Sequence, residues 1–199
     1  MCHQAVIEGY RAMLKDANAG FSEWEEENIT ARLRKEILGL PFVNSKKIDV
    51  VREFQLDNDA IISGEKPAKS ARRIDFRFHS TWSVKDEYEY FAEAKNLYHT
   101  DRRNTGDASK SKNYYIEGGI ARFVNGAYPP GFLVGYVLRG EIEEVVNSIN
   151  QIIERKNFSP RIGQIREKST LHSHPYCYNS INTTQFGNLE LWHIFLKYY

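Results

Sequence analysis

Two neighbouring segments of this 199-residue chain, 73-RIDFRFHSTW-82 and 87-EYEYFAEAKNL-97, restrict its fold more than any other feature. In a strand, successive side chains point to opposite faces. Ile74, Phe76 and Phe78 therefore share one face, and Asp75, Arg77 and His79 the other. In the second segment Phe91, Glu93 and Lys95 lie on one side, with Tyr90, Ala92 and Ala94 opposite. Two alternating runs joined by a short polar link predict an antiparallel hairpin. A turn centred near Val84 sets Asp75 across from Glu93, with Cβ atoms roughly 5 Å apart. Two carboxylates that close repel each other unless a cation lies between them. Lys95 projects to the same side, and a hard divalent cation suits two carboxylates, a backbone carbonyl and water.

The rest of the chain supplies layers for this hairpin. Val6, Tyr10, Met13 and Leu14 recur at helical spacing. Ser22 with Glu25 forms a capping-box pattern, which predicts a second helix striped by Ile29, Leu33, Ile37 and Leu40 and ended by Pro41. Residues 47–56 read as a strand that Ile61 and Ile62 extend, 64–70 as a loop, and 100–112 as a polar, mobile loop. A helix is expected over 113–126, weakened by Gly118 and Gly119. The run 131-GFLVGYVLRG-140 is nearly all apolar, as in a strand buried on both faces. Segment 141–156 has strong helical periodicity, and 188–199 reads as a last strand. The expected architecture is α/β: a mixed sheet flanked by helices, in one domain spanning 1–199. Residues 1–20 add an N-terminal helix to it, and 157–199 an extension that completes the sheet.

A net charge of +1 leaves no strongly basic body, so a nucleic-acid role needs locally clustered Lys and Arg. Such clusters flank the hairpin: Lys69 and Arg72 just before it, and Arg102, Arg103, Lys110 and Lys112 just after. They suit a phosphate backbone near the hairpin and equally suit solvated loops. Arg122 on the following helix could face the same site, whereas Tyr114, Tyr115 and Phe123 read as core. The two cysteines make no disulfide framework, and the first residues have no signal-peptide order, which together point to the cytoplasm. No apolar run approaches the roughly 18 residues of a membrane span. His172, His174 and Cys177 look like a zinc-site fragment, but the fourth ligand would have to come from distant Cys2, His79 or His193. There is neither a glycine-rich phosphate loop nor a serine elbow.

Asp75 on one strand and Glu93-Ala94-Lys95 on the next resemble the PD-(D/E)XK nuclease superfamily, the restriction-endonuclease-like fold. Ile74 stands where the family name has proline, a departure the superfamily tolerates. Its members commonly carry a further acidic residue on a helix before the sheet, which 23-EWEEENITARL-33 supplies, and a helix and strand after the lysine strand. The likeness covers about residues 22–156. It implies Mg²⁺-dependent (or Mn²⁺-dependent) phosphodiester hydrolysis of nucleic acid, DNA favoured. Asp75, Glu93 and the Ala94 carbonyl would hold the metal, and Lys95 would orient water or steady the phosphate. Glu27 is the expected helix acid, because it lies beside the apolar stripe, with Glu26 as its competitor. A chain with no separate recognition domain is expected to take its target from a protein partner or a homo-oligomer, as in restriction or antiphage defence systems. The other readings are a catalytically silent nuclease-fold subunit for binding or assembly, and an RNA-directed nuclease.

Overall fold

A computed structural model describes residues 1–15, 20–57, 59–81, 87–101, 107–167 and 170–199. Helices α1 (Cys2–Met13), α2 (Glu26–Leu38) and α3 (Pro41–Ser45) precede strand β1 (Asp49–Leu56). After the one-turn helix α4 (Asp59–Ile62) come β2 (Arg72–Thr81) and β3 (Glu87–Tyr98). Helix α5 (Asp107–Tyr114) runs through a π-helical segment (Tyr115–Ile120) into α6 (Ala121–Val124). Strand β4 (Gly131–Arg139), helix α7 (Ile142–Lys156) and strands β5 (Arg166–Glu167), β6 (Cys177–Thr184) and β7 (Gly187–Lys197) complete the order.

The seven strands form one mixed sheet in the order β1-β2-β3-β4-β7-β6-β5. β1, β2 and β3 are antiparallel neighbours, while β4 runs parallel to both β3 and β7. Two apolar cores cover the sheet. Ile7, Ile29, Leu33 and Ile37 of α1 and α2 pack with Phe76, Phe78, Ala92 and Ala94 in one. Ile116, Ile120, Val145 and Ile149 pack with Phe91, Leu97 and Leu133 in the other. β4 supplies Phe132, Val134 and Tyr136 to the first core and Leu133 and Val137 to the second, which is why its sequence shows no alternation. Among the described residues, no helix is long and apolar enough to cross a membrane.

Four local expectations need correction. α2 begins at Glu26 with Glu25 as N-cap and no side-chain capping bond. Phe21–Glu23 instead form a separate 3₁₀ turn, because buried Phe21 packs against Trp24 and Tyr198 at 5.0 and 5.4 Å between ring centres. Ile61 and Ile62 close helix α4 rather than extend a strand. Of the polar stretch 100–112, residues from Asp107 on are helical, with Asp101 Oδ1 accepting the Ala108 N–H at 2.7 Å. Strand β6 was not expected at all: its inward positions include Ser180 and Asn182, so 177-CYNSINTT-184 lacks an apolar period.

Candidate active site

The hairpin has the register its sequence implies, with Phe78 paired to Tyr90 and Phe76 to Ala92; the turn, at 82–86, lies outside the described residues. Pairing of β2 with β3 stops at Phe76 and Ala92, and one further step sets Asp75 level with Glu93. On the other edge of β2, the β1 ladder passes from Arg52 and Phe76 to Phe54 and Ile74. It skips Glu53, whose φ is +52°. Ile74 then joins the α7-side core while Phe76 and Phe78 stay in the other, so the alternation of β2 breaks at Asp75.

This divergence leaves backbone donors of β3 without a strand partner, and carboxylates take them. Asp75 Oδ2 accepts the Ala94 N–H at 2.7 Å, and Glu26 Oε2 accepts the Asn96 N–H at 2.9 Å. Alternate N–H groups of a strand point to the same edge, so the two acids stand side by side where β2 would otherwise have run. A buried N–H must be paired, and these bonds fix the acids in position.

Lys95 Nζ lies at the centre, 2.9 Å from Glu93 Oε1, 3.0 Å from Glu26 Oε1 and 3.6 Å from Asp75 Oδ2. It also donates to the carbonyl of Ala94. The Lys95 and Glu93 side chains are each 4% exposed, while Asp75 at 21% and Glu26 at 23% form a partly open rim. Around Glu93 Oε1 stand the Tyr128 hydroxyl at 3.3 Å and Arg122 Nη1 at 3.6 Å. Glu93 Oε2 is buried and has no hydrogen-bond partner among the described residues. Burial and the neighbouring Asp75 push the Glu93 carboxyl up to about 8, against the pull of Lys95. Glu26 is raised as well, first by burial and then by Asp75. Burial works against the Lys95 ammonium, but Asp75, Glu93 and Glu26 together outweigh it and hold the lysine firmly protonated.

Three carboxyl groups thus meet one central cation, and Arg122 adds a second one 3.6 Å from Glu93. Among the described residues, no group of three or more His, Cys, Asp or Glu side chains gathers as a metal cage. The residues nevertheless fit a hard divalent ion. The donors Asp75, Glu93 and the Ala94 carbonyl are all oxygens, and Glu93 keeps one buried oxygen unpaired.

Of the site residues expected from sequence, Asp75, Glu93 and Lys95 come together and Glu27 does not join them. Glu27 is exposed, and its backbone carbonyl accepts from Arg52 at 3.3 Å. The acid that reaches Lys95 is its neighbour Glu26, the first residue of α2, whose start points at the gap between β2 and β3. Lys69 and Arg72 are exposed, as is Lys110. Lys112 is a correction: it is 7% exposed and donates to the His99 carbonyl at 3.2 Å, so it is withdrawn from any backbone outside. Arg102 and Arg103 lie outside the described residues.

Tyr115 and Phe123 are core residues, as their sequence context suggests, but Tyr114 is 53% exposed and its ring centre lies 5.3 Å from Lys95 Nζ. Tyr128, in the link before β4, carries no sequence signal of a role, yet its hydroxyl also receives a bond from Arg122 and donates to the Arg73 carbonyl. His174 is buried with Nε2 bonded to the Phe195 carbonyl at 2.8 Å, and Cys177 is buried as a free thiol. Comparison of the chain with protein-family models, with curated proteins and with solved structures returns no match.

Proposed function

We propose that this protein is a Mg²⁺-dependent phosphodiesterase acting on nucleic acid, DNA favoured, with a restriction-endonuclease-like core. The observation that carries the reading is the meeting of Asp75, Glu93 and Lys95 at the point where β2 leaves β3, with a buried oxygen of Glu93 unpaired. An acid from the helix preceding the sheet, Glu26, completes it. The α5–α6 segment and β4 that follow β3 agree with the same family pattern.

Asp75, Glu93 and the Ala94 carbonyl would hold Mg²⁺, or Mn²⁺ in its place. Such an ion lowers the pKa of a bound water and offsets charge developing on the phosphate. The chain's own groups do the rest. The Ala94 N–H keeps the Asp75 carboxylate aimed into the site, and Glu26 holds Lys95 from the rim. Lys95 Nζ gives its three N–H groups to Glu93, Glu26 and the Ala94 carbonyl, so it acts on a phosphate oxygen or its attacking water through its fixed positive charge. Arg122, joined to the Tyr128 hydroxyl, brings a second cation to the Glu93 side. Exposed Lys69, Arg72 and Lys110 would add contacts to the backbone that are salt-sensitive and blind to sequence. Target choice then falls to a protein partner or a second copy, as expected of the effector of a restriction or antiphage system.

The test is to incubate the protein with plasmid and with single-stranded DNA and RNA, in Mg²⁺ and in EDTA. Cleavage should require Mg²⁺ and disappear in Asp75→Ala and Lys95→Ala. Absence of cleavage, or cleavage unchanged in those variants, overturns the reading. A second reading, a silent subunit for binding or assembly, draws on Lys95 being an internal counter-ion to all three acids. It predicts no rise in melting temperature on adding Mg²⁺, whereas binding to the folded state alone would raise it.

A further inference from the structure

The helical wall beside Lys95 holds a feature that the hydrolysis reading leaves unused. Tyr114 ends α5 with 53% of its surface exposed, the most open aromatic ring near the cluster. Two other tyrosines of this region are tied down: Tyr115 bonds His193 at 2.9 Å and Tyr128 bonds the Arg73 carbonyl at 2.8 Å. No such bond to the Tyr114 hydroxyl is found among the described residues. The ring is nonetheless held in place. Lys95 Nζ lies 5.3 Å from its centre. The ring also lies along Gly118, where an added Cβ would stand 2.9 Å from Tyr114 Cε2 and 3.1 Å from Cδ2, and 53% of the residue stays open.

Gly118 is buried within the π-helical segment, where a glycine costs helix stability. Its φ is not in the left-handed range, so the backbone does not require a glycine there. The room it leaves is filled by the ring. Tyr114, Gly118 and Arg122 follow at spacings of four, which puts ring, gap and guanidinium on one side of the segment. At its far end Arg122 and Arg72 line a cavity of about 550 Å³ with Glu117 and Ala121.

A flat ring beside the reacting centre and a cationic recess beyond it are complementary to one unstacked nucleotide and the next phosphate. In a duplex both faces of each base are covered by its neighbours, so only an unpaired base offers a face to the ring. We propose that Tyr114 is a stacking platform for an unpaired nucleobase next to the phosphate held at Lys95, with Arg122 and Arg72 receiving the following phosphate. The substrate is then single-stranded or locally unpaired nucleic acid. This rests on the phosphodiesterase reading and narrows its substrate.

The test is fluorescence-anisotropy titration of the full chain with a labelled 12-mer, alone and annealed to its complement. Titrations run in EDTA, so that affinity is read without turnover, and are repeated in Ca²⁺. Wild type should bind the single strand more tightly than the duplex. Tyr114→Ala should weaken single-strand binding by about 10-fold or more, in the range of base–aromatic stacking. Duplex affinity should stay within about 2-fold, and Tyr114→Phe should keep the wild-type value. Gly118→Ala, which displaces only an exposed ring, should weaken single-strand binding too, but add nothing in a Tyr114→Ala background. The platform is overturned if Tyr114→Ala binds the single strand like wild type, or loses single strand and duplex equally, while wild type still cleaves. Wild type that cleaves no strand in Mg²⁺ overturns the phosphodiesterase reading itself, whether or not it binds.

Discussion

Two buried polar groups sit in one row across the sheet, where Glu93 pairs with Leu133 and Leu133 with His193. Around His193 the chain is neutral and closed. Tyr115 hydroxyl meets its Nδ1 and Ser180 its Nε2, each at 2.9 Å, and Asn182 continues to Ser180, the Gly163 N–H and the Leu189 carbonyl. Around Glu93 the group is charged and open at one oxygen. Both occupy interior positions that apolar side chains would fill at less cost. The neutral chain satisfies its donors and acceptors and holds β6 to β7 and the π-helical segment. The charged group crowds three acids onto one lysine and leaves a buried oxygen unpaired, which a further cation would relieve. A buried polar site that is incomplete reads as a place for chemistry, and a complete one as a fastening.

The largest expected effect separates the two by activity. Asp75→Ala or Lys95→Ala should lower Mg²⁺-dependent cleavage by at least about 100-fold, while His193→Ala should leave the cleavage rate of the folded fraction near wild type. Cleavage that falls equally in His193→Ala would merge the two regions into one functional unit. In stability the ranking should reverse. His193→Ala removes a ring that partners two buried hydroxyls and should cost about 3 kcal/mol in urea unfolding.

The same histidine sets a pH dependence. Burial lowers it from 6.5 to about 3, so the folded ring stays neutral where the unfolded one is protonated. Below pH 6.5 the unfolded state binds more protons, and stability should fall as pH drops from 6.5 towards 3, by up to about 1.4 kcal/mol per unit. Above 6.5 His193 contributes no slope. Urea midpoints for wild type and His193→Asn across this range check it, since the variant should show the shallower slope.

Relieving the open cluster should act in the opposite sense. Glu93→Gln should abolish cleavage but removes a carboxyl whose ionisation burial and Asp75 oppose, and should raise stability by about 1 kcal/mol in metal-free buffer. Destabilisation comparable to His193→Ala would make the cluster a fastening like its neighbour. The smallest effect is expected at the periphery: Arg72→Ala should reduce the slope of log affinity against log salt by about 1, with no change in Tm.

Much of this arrangement was readable from the chain. The alternation in 73–82 and 87–97 and the length of their link were enough to bring Asp75 level with Glu93, because a strand's period of two admits few registers. The unbroken apolar run of β4 and the stripe of α7 were equally direct. Glu26 was harder. Adjacent helix residues differ by about 100° in direction, so the choice between Glu26 and Glu27 hangs on where α2 starts. That start is displaced by Phe21 docking against Trp24 and Tyr198, a contact from the far end of the chain. Lys112 and Tyr114 lie two positions apart, yet the charged one is buried and the aromatic one exposed. A local pattern has no means of giving that inversion, because it depends on which helix face meets α7 and β3.

What the sequence determined by itself was therefore period and pairing: which residues share a strand face, which helices have an apolar stripe, and that two carboxylates and a lysine converge. Only the tertiary structure decided that β2 leaves β3 at Asp75, that Glu26 and Asp75 take the freed N–H groups of β3, and that Glu93 keeps a buried oxygen unpaired. The reason is range. Periodicity is set by backbone geometry within a few residues. Charge balance and burial are set by groups brought together from α2, β2, β3 and the segment before β4.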